Sequence, residues 1–158
     1  MKKRIIILAV LAAFGILAMS NVSMAASVNT SVGASAAVNA KCKVNASDAI
    51  AFGEYDPTSG NPAQATGNIN VQCTKSTHFW PYVTGTRKLV DGLKEIVFQI
   101  GASGYGPDDF AAILGDATEN IAPNASNIPI PLYGQIDADL VDTEVGSYSA
   151  TLTAVVNY

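Results

Sequence analysis

The chain has 158 residues, of which 49% are hydrophobic and 14% charged, and its formal net charge is −4. Nine Lys and Arg residues stand against thirteen Asp and Glu residues, and no basic residue follows Lys94. Nucleic acids and anionic membranes are bound mainly by neutralising phosphate charge, so this acidic balance excludes both as expected partners.

Residues 1–25 have the organisation of a secretory signal peptide. The basic stretch "KKR" precedes an apolar run over residues 5–19, and Ser23 and Ala25 are the small residues that a signal peptidase reads. An anchoring transmembrane helix is the alternative, but no basic stop-transfer cluster follows the apolar run. Cleavage before Ala26 leaves about 133 residues with six basic and thirteen acidic side chains, a net charge of −7.

The mature chain begins with the alternating stretch "ASVNTSVGASAAVNAKCKV", residues 26–44. From Val28 to Val44 every even position is Val, Thr, Ala or Cys, which is the pattern of a half-buried strand. Strands usually have about 5–6 residues, so this one is too long for a small domain. Either residues 26–35 form an arm that projects from a domain over residues 36–158, or the whole stretch is one bent strand that joins both sheets of its own sandwich.

In the first interpretation the arm adds a strand to another sheet. Main-chain hydrogen bonds then supply affinity, and alternate side chains enter pockets and supply specificity. The predicted donor-strand side chains are Val28, Thr30, Val32 and Ala34.

Cys42 and Cys73 are the two cysteines of the chain. In an exported protein an even pair indicates a disulfide. A metal site would need more ligands, and His78 is the only histidine.

Short alternating segments separated by turn-rich stretches make up the rest of the chain. "NINVQC", "KEIVFQIG", "PLYGQIDADL" and "GSYSATLTAVVNY" each place apolar side chains on one face. Only residues 107–115, "PDDFAAILG", have helical spacing, with Asp108 and Asp109 in the first turn. Many short strands with little helix predict an all-β protein, a β-sandwich.

No constellation of side chains suited to catalysis is visible. His78 stands alone beside Phe79 and Trp80, where a histidine is more often a packed or surface residue than a base, and "GASGYG" lacks the second glycine of a nucleophile elbow. Asp108 and Asp109 are explained as favourable charge at the start of the short helix. We therefore expect no enzyme, no cofactor and no metal.

The order of these features resembles the spore coat protein U domain family, the fold of archaic (Csu-type) chaperone–usher pilins. The pieces that carry the resemblance are, in chain order, "AVNAKCKV", "AFGEYDPTSG", "GNINVQCTK", "TRKLVDGLKEIVFQI", "LYGQI" and "VGSYSATLTAVVNY".

The resemblance implies an immunoglobulin-like sandwich that lacks one strand. A periplasmic chaperone would fill the resulting groove first, and at the outer-membrane usher the arm of an identical or related pilin subunit would replace it. The protein would then reach the cell surface as part of a pilus that supports adhesion or biofilm formation, without membrane insertion of the mature chain. The face of the last strand would border the groove through Tyr148, Ala150, Leu152, Ala154 and Val156.

The alternative function is a secreted carbohydrate- or surface-binding module, or a spore or cell-coat protein that forms no pilus. Its support is "THFWPY", in which Phe79, Trp80 and Tyr82 offer rings that could stack on sugars.

Overall fold

The computed structural model describes residues 27–45, 47–106, 108–138 and 140–158. The predicted signal peptide, residues 1–25, and Ala26 lie outside the described residues. The chain divides into two units, Met1–Ala36 and Ala37–Tyr158. Across the described ranges, no helix has the length and apolar character needed to cross a membrane.

The regular secondary structure of the second unit consists, in the described residues, of antiparallel strands and one short helical turn. The strands of the described residues are β1 (Cys42–Val44), β2 (Ala63–Cys73), β3 (His78–Thr84), β4 (Lys88–Asp91), β5 (Lys94–Val97), β6 (Gln99–Gly101), β7 (Asn120–Ile121), β8 (Asn127–Ile136) and β9 (Thr153–Asn157). A single-turn 3₁₀ helix occupies Leu114–Asp116.

The strands form two main sheets and one hairpin. One sheet has the order β1-β2-β8-β6, the other has the order β7-β3-β9, and β4 pairs with β5. The ladder between β2 and β8 is the longest and runs from Ala63 opposite Ile136 to Gln72 opposite Asn127. The predicted all-β, immunoglobulin-like β-sandwich is confirmed.

The core consists of the alternate residues that the sequence pattern places on one face of each strand. Along β2 every second residue from Ala65 to Cys73 is buried, while the residues between them are half-buried or exposed. The largest fully buried side chains are Phe79, Ile69, Ile100, Ile136 and Val71. Period-two burial of this kind is what a strand with one face on the core produces.

The prediction of a strand from Val28 to Val44 is wrong for most of its length in the described residues. Only Cys42–Val44 forms a strand, and it pairs with the last three residues of β2. Because β2 ends at Cys73, which lies opposite Cys42, the preceding residues have no neighbouring strand, and Val38 is 82% exposed. The alternative of one continuous bent strand is therefore also wrong within these residues.

The predicted helix over residues 107–115 is replaced by a loop and the 3₁₀ turn. The carboxylate of Asp108 accepts a hydrogen bond from the backbone N–H of Ile100 (3.0 Å), and that of Asp109 accepts one from Ala102 (2.6 Å). These carboxylates bind the end of β6 instead of a helix N-terminus, and Phe110 is buried in the core.

Candidate functional site: an open apolar groove

An open groove runs between two segments of the second unit. Its first wall is residues 47–55, which follow β1, and its second wall is residues 143–154, which lead into β9. Two adjacent cavities of about 280 and 770 Å³ make up the groove, and we call them the first and the second cavity. Ile50, Phe52, Leu89 and Ala150 line both of them.

The first wall is held against the long sheet at a few points. Asp48 exchanges backbone hydrogen bonds with Asn68 of β2 (3.0 and 3.2 Å). The ring of Phe52 packs edge-on against Phe98, with a centroid separation of 5.7 Å. Further along, the hydroxyl of Tyr55 donates to the carbonyl of Asp137 (2.9 Å). This wall follows the sheet without forming a regular strand.

The second wall forms backbone hydrogen bonds along one of its two edges. Ser149 exchanges backbone hydrogen bonds with Val90 of β4 (2.8 and 3.1 Å), and β9 forms its ladder with β3. Over the described ranges, the backbone of residues 148–157 pairs only with β3 and β4. The edge of this wall on the groove side is therefore without a neighbouring strand.

The floor of the groove is the hydrophobic core itself. Ile69, Val83 and Leu132 lie beneath the first cavity, whereas Ile96 and Ile136 lie beneath the second. All five are core residues with little or no exposed surface. The groove thus opens directly onto the hydrophobic core.

An ion pair and a hydrogen bond connect residues 144–145, which line the second cavity, to the β4–β5 hairpin. The Lys94 ammonium lies 3.1 Å from the Glu144 carboxylate and donates to the carbonyl of Val145 (3.0 Å). The hydrogen bond to Glu144 raises the pKa of Lys94 above its ordinary value. This tie connects the start of the second wall to the hairpin.

The side chains predicted to border a groove line these cavities with one exception. Tyr148 lines the second cavity, Leu152 and Ala154 line the first, and Ala150 lines both. Val156 packs against the core and lines neither cavity.

The four predicted donor-strand residues lie in the first unit, in a segment without assigned secondary structure. Val28 and Val32 are 93% and 89% exposed. Thr30 and Ala34 are exposed as well. The segment therefore presents alternating apolar side chains to solvent.

Sequence reasoning missed the first wall. Ile50 and Phe52 alternate in "AIAFGEY", which is a signal for one apolar face, but "AFGEYDPTSG" was used only as a piece of the family resemblance. The glycines that receive this wall, Gly67 on β2 and Gly134 on β8, lie on the buried faces of their strands.

The predicted disulfide between Cys42 and Cys73 is present. It joins β1 to the end of β2, immediately before the chain enters the first wall.

The ring cluster proposed for sugar stacking is divided by the sheet. Phe79 is fully buried, so the expectation that it offers a ring to a ligand is wrong. Trp80 and Tyr82 are half-buried, because successive residues of a strand point to opposite faces. The Nδ1 atom of His78 lies 2.6 Å from the Oε1 atom of Glu119, within hydrogen-bonding distance.

No group of three or more His, Cys, Asp or Glu side chains that could hold a metal ion occurs in the part of the chain that the structure describes.

A family model matches part of the chain. Residues 28–94 match the family model described as Spore Coat Protein U domain, and no curated protein matches the chain. This family is associated with chaperone–usher pilus and coat proteins, which are surface or secreted proteins. The matched region, which is less than half of the chain, contains the disulfide, the first wall and most of the exposed segment at residues 27–35, and the match agrees with the resemblance to the spore coat protein U domain family.

Proposed function

We propose that the mature protein is a structural, non-catalytic subunit of a surface fibre that polymerises by donor-strand exchange. The arm, residues 26–35 of one copy, fills the groove of the next copy after delivery by a periplasmic chaperone and an outer-membrane usher. The fibre supports adhesion or biofilm formation. The observation that carries the proposal is an open groove over the core in a chain that also has an exposed, alternating arm.

The groove has the properties that an added strand requires. Its floor is apolar, and the second wall offers an unpaired backbone edge over residues 148–154 in the described chain. Strand addition satisfies such an edge with main-chain hydrogen bonds, and side chains at every second position fill the cavities.

The arm has the matching properties. Its even positions are either β-branched residues, which favour extended backbone, or small residues, which fit narrow pockets. Burying one Val side chain contributes about 1.5–3 kcal/mol, and each ladder hydrogen bond contributes about 1 kcal/mol net. Ordering the arm costs conformational entropy and offsets part of this gain.

The geometry of such an assembly is open-ended. An arm on one copy and a groove on another are different surfaces, so each added copy exposes a new unused site. Heterologous contacts that do not close into a ring produce filaments.

Thermal unfolding of two purified versions of the protein tests the proposal. One begins at Ala36, and the other begins there and carries residues 26–35 after Tyr158 on a flexible linker. We expect the first to melt low or aggregate and the second to be a monomer that is more stable by tens of degrees. A matched control carries the appended arm with Val28→Ser and Val32→Ser, and it should lose most of the gain.

Equal stability of the two versions as monomers would contradict the proposal. The fold would then be complete without the arm. In that case the alternative of a secreted binding module or coat protein would apply, and the half-buried rings of Trp80 and Tyr82 would be the first place to look for a ligand.

A further inference from the structure

We infer the register and direction in which the arm occupies the groove of a second copy: Val28 enters the first cavity, Val32 enters the second, and the arm runs antiparallel to the second wall. This inference rests on the proposed function. It goes further by assigning each apolar side chain of the arm to a place in the groove.

On β8 and on the second wall, the residue at the first cavity and the residue at the second cavity are four positions apart in sequence. On β8, Leu132 lies beneath the first cavity and Ile136 beneath the second. On the second wall, Leu152 lines the first cavity and Tyr148 lines the second. Four residues of extended chain span about 13 Å.

The arm has one pair of large apolar side chains with the same spacing. Val28 and Val32 are four residues apart and point to the same side of an extended chain. Adjacent strands share nearly the same rise per residue, so side chains four apart on the arm face cavities four apart on the wall.

Other registers fill the groove less well. A shift of one residue would turn Asn29, Ser31 and Gly33 toward the core. A shift of two residues toward the C-terminus of the arm would place Thr30 and Ala34 in the cavities. These side chains are smaller or more polar than the valines that they would replace. Of these three registers, only the proposed one puts both valines over the apolar floor.

The centre of the groove agrees with the proposed register. Ala150, midway between Tyr148 and Leu152, lines both cavities where they meet. Thr30 falls opposite this small side chain.

The direction follows from the two walls. The second wall continues into the regular strand β9, whereas the first wall is bridged to its sheet only at Asp48 in the described residues. An added strand gains its regular ladder from the second wall, and antiparallel ladders are the more stable kind. In that direction Val28 lies opposite Leu152, Thr30 opposite Ala150, and Val32 opposite Tyr148.

Paired cysteine substitutions in the full-length chain, exported to the periplasm of cells that also supply the chaperone and usher required by the proposed function, test the register. Directly opposite residues of an antiparallel pair have Cβ atoms close enough for a disulfide. One variant carries Val28→Cys with Leu152→Cys, and the comparison variant carries Val28→Cys with Tyr148→Cys. Val28→Cys alone is the control for incidental dimers.

The expected result is a ladder of covalent multimers from the Val28/Leu152 variant on non-reducing gels, removed by reductant, and little ladder from the Val28/Tyr148 variant. The reverse pattern would overturn the direction. Equal or absent cross-linking by both variants, in protein that still forms multimers by size-exclusion chromatography, would overturn the register.

The multimers distinguish a failure of the proposed function from a failure of the register alone. If the unsubstituted chain and the variants form no multimers at all, the proposed function fails with the register. If multimers form but do not cross-link as expected, only the register fails.

Discussion

Gly134 of β8 lies directly beneath the ring of Phe52, with no space between them for a side chain. A Cβ atom on residue 134 would lie 2.9 Å from Cζ of Phe52 and closer still to Ile50. On the neighbouring strand, a Cβ atom on Gly67 would lie 2.7 Å from the carbonyl oxygen of Asp48. The two glycines thus allow the first wall of the groove to rest on the sheet.

Replacing Gly134 with Ala should therefore destabilise the domain. The added methyl group must displace Ile50 and Phe52, and such overpacking typically costs about 1–3 kcal/mol. Chemical denaturation of both proteins measures the difference. Gly115→Ala is the matched control, because its nearest neighbour would be Ile113 Cδ1 at 4.0 Å. Equal unfolding midpoints for Gly134→Ala and the parent chain would contradict the close approach.

Removing the disulfide should lower stability more than any surface change. Cys42 and Cys73 are 31 residues apart, and closing a loop of that length stabilises a fold by about 3–4 kcal/mol on the chain-entropy model. We expect the Cys42→Ser, Cys73→Ser double variant to unfold at lower denaturant than the oxidised parent. Reductant should bring the parent close to the variant and leave the variant unchanged. A parent chain insensitive to reductant would count against this role.

Arg87 should be essential for the loop that follows β6. Its side chain is 10% exposed, forms an ion pair with Asp108 and donates to the carbonyl of Phe110 (2.5 Å). Burial lowers the pKa of Arg87, and the negative charge of Asp109 opposes that shift. Arg87→Met leaves Asp108 and the carbonyl without this partner. Because the Asp108 side chain is 40% exposed and water can replace part of the interaction, we expect a loss of about 1–3 kcal/mol.

The control for Arg87 is Lys88→Met. Lys88 pairs with Glu95 across the β4–β5 hairpin, and both side chains are about half exposed. Exposed pairs contribute about 0–1 kcal/mol, so this variant should unfold close to the parent. Similar losses in the two variants, measured by urea denaturation, would refute the special role of Arg87.

Thr58 should determine the pKa of Asp56. The Asp56 carboxylate accepts hydrogen bonds from the hydroxyl (2.7 Å) and the backbone N–H (2.8 Å) of Thr58, and these lower the pKa of Asp56 below 3.8. Thr58→Val removes the hydroxyl and should raise the pKa part of the way back, whereas Thr58→Ser should preserve it. An NMR titration of the Asp56 carboxyl carbon measures both.

The sign of the linked stability follows from the lowered pKa. The contribution of Asp56 is present above the pKa that it has in the unfolded chain, and it is lost as the pH falls through the lower folded value. Thr58→Val should therefore reduce the stability difference between neutral and acidic pH. An unchanged Asp56 titration in this variant would show that the hydroxyl contributes nothing.

The buried faces of the strands were predictable from alternation, and the extent of pairing was not. Ile69, Val71 and Cys73 are buried as their spacing predicts. Before Cys42 the same alternation continues, but β2 has ended and no ladder forms. Alternation specifies which side of an extended chain is apolar, whereas a strand also needs a neighbour.

The groove was predictable on one side only. Leu152 and Ala154 belong to a long alternating run, which indicates one apolar face, and the family resemblance assigned that face to the groove. Ile50 and Phe52 form a short apolar pair within a turn-rich segment, and their place depends on a close approach to Gly67 and Gly134. Such contacts join residues that are distant in sequence, so local pattern does not reveal them.

The disulfide also determines how the domain would carry a mechanical load. A pull on the arm reaches the domain at Cys42, which is covalently bonded to Cys73 at the end of β2. The load then passes to an eleven-residue strand that is paired with β8, and the three-residue β1 is not peeled away. In a fibre stretched by flowing liquid, the root of each arm would hold, and rupture would begin where one copy is seated in the next.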